Sequence, residues 1–257
     1  MKHGNKAASG PACLVDFRAD NPDATWNHFR EEQRTCYEVV RDSVLSDQSG
    51  LCAYCEILLQ EDNRQVAHFH PKSDTTTSHN WSLDWENLWL ACKGGTQIHH
   101  HSDPDHYLPP LPENISCDER KGRQILDSLV LSPSDVPSFP RIFRFNQRID
   151  GMEIVPDEKG CQQAALPVEK VQKTIDEFNL NCPRLSLARM KCYQPIESAI
   201  KRLRQSGIKD TSGALEKLVK RHLSKRSNGH WPAFFTLVRW RFGNTAEQYL
   251  QSIAYQG

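Results

Sequence analysis

The chain is 257 residues long, and its 32 lysines and arginines balance 32 aspartates and glutamates, so the formal net charge is zero. That balance excludes a uniformly basic, histone-like protein and a polyanionic one, while leaving open how charge is distributed along the chain. Hydrophobic residues at 38% and charged residues at 25% suffice for a buried core in one large domain or two small ones.

No run approaches the roughly 18 apolar residues that a membrane span needs, and the opening MKHGNKAASG lacks the apolar segment of a signal peptide. The expected compartment is therefore the cytosol, with no membrane association. In a reducing compartment, nine cysteines read as metal ligands or thiols rather than as a disulfide framework. Cys13, Cys36, Cys161, Cys182 and Cys192 are scattered and are expected to be small, partly buried thiols.

In chain order, Asn21-Pro22 reads as a cap followed by a first-turn proline. It opens an amphipathic helix over 21–45 that carries Trp26, Phe29, Tyr37, Val40 and Val44. Residues 50–128 are rich in Cys, His, Trp and Asn and short of periodic apolar runs, as a small metal-stapled fold would be. Cys52-Ala53-Tyr54-Cys55 is a C-x2-C knuckle, suited to present two thiolates to one tetrahedral zinc at about 2.3 Å each. Val66-Ala67-His68-Phe69-His70-Pro71-Lys72 and Trp85-Glu86-Asn87-Leu88 follow, then Cys92, then Cys117-Asp118-Glu119-Arg120-Lys121. The proline-rich stretches 104–112 and 133–140 read as loops. Ile142, Phe143 and Phe145, then Met152 and Ile154, flank Asp150-Gly151 and predict a hairpin. Helical patterns return after 165, through Val168, Val171, Ile175 and Phe178, then Ile196 and Ile200, then Leu215, Leu218, Val219 and Leu223.

The zero net charge is a cancellation. Between Arg184 and Arg241 stand 14 lysines and arginines against three acids, Glu197, Asp210 and Glu216. A basic helical segment of this kind suits a nucleic-acid backbone, with a solvated face or a site for an acidic partner as the plainer alternatives. Trp231, Phe234, Phe235, Val238 and Trp240 form an apolar patch that is either core or a partner interface.

Together these motifs resemble the HNH endonucleases of ββα-metal fold, most closely the PtuB-like branch found in Septu anti-phage systems and in some retrons. In that family a strand ends in the first His, a W-x-N-L segment supplies the Asn, and C-N/D-x-x-K opens the helix with the third position. These match His68, Asn87 and Asp118. Gly50-Leu51-Cys52-Ala53-Tyr54-Cys55-Glu56, the downstream Ile175-x-x-Phe178-Asn179-Leu180-Asn181 and Arg189 extend the likeness over residues 20–200.

The resemblance implies an α+β fold. A helical N-terminal arm (1–49) leads to a zinc-stapled ββα-metal core (50–130) with an insert at 93–116, followed by a hairpin and a helical, basic C-terminal region (131–257). It implies metal-dependent hydrolysis of phosphodiester bonds, with DNA the favoured substrate and tRNA the other. His68 would be the general base, Asn87 would position it, and Asp118 would bind the catalytic Mg2+ or Mn2+, while Lys72 and Lys121 would contact phosphate. A structural zinc would sit on Cys52, Cys55, Cys92 and Cys117, since four thiolates leave no open position. The implied partners are a PtuA-like ATPase that restrains or licenses the enzyme and, in retrons, a reverse transcriptase with its RNA–DNA hybrid.

Two departures from the family pattern stand out. Residues 93–116, with His99-His100-His101 and His106, separate the last two cysteines, so a histidine of the insert competes with Cys117 as the fourth ligand; the plainer reading of the histidine run is a solvated loop. The position before the base histidine, usually acidic, is Ala67. Metal affinity should then fall sharply unless His70, Glu86 or another side chain takes over; either the site is naturally divergent, or the alanine is an inactivating substitution that traps a substrate-bound or toxic enzyme, which is the reading favoured. A zinc-stabilised binding or assembly subunit with a degenerate site is the alternative function. Taken singly, His68 reads as a structural histidine, Asp118 as a helix N-cap, Asn87 as a turn residue, and Lys72 and Lys121 as surface charges. Trp81, Trp85 and Trp89 read as packing around the metal core rather than as base-stacking platforms.

Overall fold

The computed structural model describes residues 1–96, 111–207 and 210–257, which form a mixed architecture of helices and two small antiparallel sheets. The histidines at 99–101 and His106 lie outside the described residues.

The N-terminal arm is three helices rather than one. Helix α1 (Ala12–Asp20) ends on Asn21, so Asn21-Pro22 closes a helix instead of opening one. Helix α2 (Trp26–Glu32) starts at Thr25, whose hydroxyl accepts from the backbone N–H of His28 at 3.2 Å. Gln33, at φ −116° and ψ 48°, breaks the chain before α3 (Arg34–Asp47). The predicted apolar positions Trp26, Phe29, Val40 and Val44 are buried, joined by Leu14 and Phe17 of α1. Cys13 of α1 and Cys36 of α3 form a disulfide, which corrects the expectation of thiols at these two positions. The pairing depends on α1 packing beside α3, which brings the two Cα atoms to 5.9 Å, and no local pattern reports it. Cys161, Cys182 and Cys192 carry free thiols.

Strands β1 (Arg64–His68) and β2 (Leu88–Cys92) pair antiparallel, in register from Arg64 opposite Cys92 to His68 opposite Leu88. The short α4 (Cys117–Lys121) lies against β2. Between them the stems of the insert are fastened together: the Ser116 N–H donates to the Gly94 carbonyl at 3.0 Å. Gly94 takes φ +58°, and a Cβ there would stand 2.4 Å from the Ser116 carbonyl oxygen, so only glycine fits this approach.

Strands β3 (Phe143–Arg148) and β4 (Gly151–Pro156) form the predicted hairpin, closed by Ile149-Asp150. Helices α5 (Glu158–Gln163), α6 (Val168–Glu177), α7 (Pro183–Gln205), α8 (Thr211–Leu223), α9 (Phe235–Phe242) and α10 (Asn244–Ser252) complete the chain. One apolar cluster runs from the arm through the cysteine region to β3, β4 and α6. A second unites α7 to α10, and Trp231, Phe235 and Val238 lie inside it, so the C-terminal aromatic patch is core. Glu56, beside the knuckle, ties the first cluster to α9: its carboxylate accepts from the Thr236 N–H at 2.8 Å and from the Thr236 hydroxyl.

The basic C-terminal segment is not one surface. Arg184, Arg189 and Arg239 are buried, Arg239 donating to both Glu247 oxygens at 2.8 and 2.6 Å, and Arg241 donates to Glu197 at 2.6 Å. The exposed remainder lies chiefly on the C-terminal half of α7 and on α8. Among the described residues, no helix is long and apolar enough to cross a membrane.

Candidate metal centre and active site

Three chain segments deliver four buried cysteines to one point. The knuckle loop is closed by the Cys52 N–H on the Ile57 carbonyl at 2.9 Å, the end of β2 brings Cys92, and the start of α4 brings Cys117 at φ +60°. All the sulfurs of Cys52, Cys55, Cys92 and Cys117 lie within 4.8 Å of one another. The separations Cys55–Cys92, Cys92–Cys117 and Cys52–Cys117 are 3.7, 3.8 and 4.0 Å. A tetrahedral ion with metal–sulfur bonds of about 2.3 Å requires sulfur–sulfur edges of about 3.8 Å, so the donor set fits a metal such as zinc. The Cys92 N–H also donates to the Cys52 sulfur at 3.3 Å, fixing its orientation.

The electrostatics suit thiolates. Burial alone raises a thiol pKa, yet hydrogen bonds from Cys117, Cys55 and Cys92 bring Cys52 well below its usual value, while burial holds Cys55 and Cys117 up. Such crowding favours a cation at the centre. Four thiolates around a divalent ion leave two net negative charges, and two buried guanidiniums from α7 offset them. Arg184 is opposed by burial, but the charges of Cys92 and Cys55 raise its pKa. Arg189 is lowered by burial and feels Cys182, Cys55 and Cys117 in compensation. Arg184 also donates to the Ser116 hydroxyl at 2.7 Å, beside the last ligand. Neither arginine was legible as a companion of the cysteines, because both stand more than 60 residues from Cys117 in a segment whose basic character suggested a surface.

His68 ends β1, 6% exposed, with the edge of Trp26 from α2 at 5.0 Å. Its Nε2 bonds the Ser82 carbonyl at 3.0 Å. A carbonyl only accepts, so Nε2 carries the proton and Nδ1 the lone pair. Burial, reinforced by the charge of Lys72 and then Lys121, holds its pKa down to about 3, so the ring is neutral throughout the physiological range.

Asn87 ends the one-turn segment Trp85–Asn87 and braces the histidine loop from both sides. Its Oδ1 accepts from the His70 N–H at 2.6 Å, and its Nδ2 donates to the His70 and Trp81 carbonyls at 2.9 and 2.8 Å. Asp118 is the second residue of α4, not its N-cap, a place held by Ser116. Burial raises its carboxyl to about 6 against the opposing charge of Lys121. Its Oδ1 is buried and, among the described residues, is partnered only loosely, by the Lys121 ammonium at 3.5 Å, which donates more closely to the Gly122 carbonyl at 3.1 Å. A buried carboxylate oxygen so loosely partnered is one that a hard divalent cation could satisfy. Lys121 is itself buried and turned to Asp118, whereas Lys72 is exposed within electrostatic range of Asp118, Arg30 and Arg123.

The two side chains named as substitutes for the acid missing at Ala67 differ in their surroundings. Both His70 nitrogens are committed, Nδ1 to Asp127 at 3.0 Å and Nε2 to Asp74 at 2.8 Å, and its ring is stacked on Trp81 at 3.9 Å. Glu86 is exposed. Ala67 itself is fully buried opposite Trp89. Trp85 and Trp89 are buried packing residues, as expected.

No family model matches the chain. Against individual proteins it is 36% identical over 212 residues to the Escherichia coli protein named "Retron Ec83 putative HNH endonuclease", covering 74% of this chain and 78% of that one. It is 27% identical over 154 residues to the Vibrio cholerae serotype O1 biovar El Tor protein named "Retron Vc95 putative HNH endonuclease", covering 60% and 63%. With a likeness of that extent and a cysteine cluster fit for a metal, the chain belongs to the HNH endonuclease family.

Proposed function

We propose that the protein is a metal-dependent HNH endonuclease that hydrolyses phosphodiester bonds, DNA in preference to tRNA, as the effector of a retron or Septu-type anti-phage system of the PtuB-like branch. The supporting observation is a neutral histidine, pinned through Nε2 with its lone pair on Nδ1, and a buried, loosely partnered Asp118 oxygen, both within electrostatic range of Lys72 and Lys121. In this reading β1, β2 and α4 are the ββα-metal core within the 50–130 region, between an N-terminal arm (1–49) and a basic C-terminal region (131–257). Zinc on Cys52, Cys55, Cys92 and Cys117 is structural.

His68 takes the proton from the attacking water through Nδ1, and the Ser82 carbonyl keeps the ring in the tautomer that allows it. Asn87 holds the His70 backbone and so the loop on which Ser82 and Lys72 stand. Asp118 holds the catalytic Mg2+ or Mn2+, whose chemistry when bound is to stabilise charge on the scissile phosphate and the leaving oxygen. Lys72 contacts phosphate directly, and Lys121 acts by setting the charge on Asp118. Restraint by a PtuA-like ATPase and association with a reverse transcriptase and its RNA–DNA hybrid follow from the family resemblance.

Ala67 favours a second reading, a zinc-stabilised binding or assembly subunit whose catalytic site is degenerate or has been inactivated by substitution. Purified chain, alone and with an ATPase partner, incubated with plasmid DNA and total tRNA plus Mg2+ or Mn2+ separates the two. Cutting by the chain or by its Ala67→Glu variant, abolished by His68→Ala, supports the enzyme. No cutting by any form supports the binding subunit.

A further inference from the structure

A concave surface opens on the arm between α2 and α3, one buried ring away from His68. It is a groove of about 430 Å3 lined by Arg30, Glu31, Arg34, Tyr37 and Glu38, within the volume range of small-ligand sites, about 300–1,000 Å3. One side chain joins it to the candidate active site: Trp26, 4% exposed, presents its ring to His68 at 5.0 Å and to Tyr37 at 5.7 Å. Trp26 thus lies behind the groove, packed between its Tyr37 and His68. Arg30 stands one turn beyond Trp26 on the same face of α2 and lies within electrostatic range of Lys72.

The charges of this groove are unspent. Arg30 and Arg34 are exposed and make no hydrogen bond or ion pair among the described residues, in contrast to Arg41, which is held by Glu38 and Glu61 at 2.7 and 2.8 Å. Exposed guanidiniums without carboxylate partners, spaced along a groove and accompanied by a half-buried aromatic ring, match the backbone-and-base chemistry of a single nucleic-acid strand. Glu38 is occupied by Arg41, which leaves Glu31 as the one uncompensated acid on the lining.

We infer that the α2–α3 groove binds the nucleic-acid strand adjoining the scissile phosphate, with Arg30 and Arg34 on its phosphates and Tyr37 against a base. The inference rests on the reading of His68 as the reactive centre and assigns the N-terminal arm a substrate-binding role that the core motifs do not reveal.

Binding is tested in the full chain carrying His68→Ala, so that no outcome depends on cleavage. Fluorescence anisotropy is read with labelled single-stranded DNA and RNA of the same sequence, about 12 nucleotides long. Removing two phosphate contacts by Arg30→Gln with Arg34→Gln lowers the slope of log affinity against log salt by about 1.4. Tyr37→Ala weakens binding about tenfold and Tyr37→Phe restores it, since the ring and not the hydroxyl stacks. Zinc content and melting temperature confirm that each variant is folded. If the double variant keeps affinity and salt slope while Lys72→Gln loses them, the groove assignment is overturned and the His68 site survives. If neither change alters binding, or the chain binds neither DNA nor RNA, both readings fall.

Discussion

Replacing Cys117 with serine tests the metal centre at its least expected ligand. The sulfur lies 3.8 Å from that of Cys92 and 4.0 Å from that of Cys52, in a pocket where Cys117 is 0% exposed. A structural zinc in a small domain is worth about 10–16 kcal/mol of apparent binding energy at neutral pH, against a total folding stability of about 5–15 kcal/mol. Losing one thiolate of four therefore removes at least about 3 kcal/mol, and the serine hydroxyl is left buried among sulfurs. For a chain of this size that is a fall in melting temperature of roughly 10 °C. Cys161→Ser is the matched control, because Cys161 is also 0% exposed but outside the cluster, and about 1 kcal/mol with unchanged metal is expected there. Metal analysis by mass spectrometry and thermal unfolding, with and without a chelator, read both variants. If Cys117→Ser keeps one tightly held zinc and melts with the parent, the four-thiolate site is wrong and the fourth ligand lies elsewhere.

The depressed His68 has a consequence for stability. The folded chain refuses the proton that the unfolded chain takes up below about pH 6.5, so stability is present above that value and declines as pH falls toward 3, by up to about 1.4 kcal/mol per pH unit. Urea unfolding at about pH 7 and pH 5 should show this acid limb flattened in His68→Gln, and an unchanged limb would disprove the assignment. Thr236→Val removes a hydroxyl donor from the buried Glu56 carboxylate and should cost about 1–3 kcal/mol by the same measurement; a neutral result would mean that the knuckle is not anchored to α9 through this pair. Asn87→Ala cuts three hydrogen bonds that hold the His70 loop, and should both destabilise the chain by about 2–4 kcal/mol and lower cleavage; loss of only one of these would separate folding from positioning.

How much of this was legible in the sequence follows from how local each signal is. The C-x2-C knuckle, W-x-N-L, the Asp150-Gly151 hairpin and the periodic helices after 165 are written within a few residues, and each emerged at or near its expected place. The break at Gln33 escaped because the apolar spacing of α2 and α3 runs on almost in phase across it. The pairing of Cys13 with Cys36 and the burial of Arg184, Arg189 and Arg239 escaped for a different reason. Composition reports charge and thiol content but not which side of a helix meets the core. His70 looked like a spare metal ligand until Asp74 and Asp127 proved to hold both its nitrogens.

The fastening between Gly94 and Ser116 gives the chain a place to grow. Because those stems meet at a backbone hydrogen bond, and Cys92 and Cys117 just outside them converge on one centre, whatever lies between enters and leaves the core at the same point. Lengthening such a closed loop costs little, about 0.6 kcal/mol for each doubling, and shifts neither the register of β2 nor the start of α4. Chain length can therefore change between the two stems without disturbing the sheet or the four cysteines.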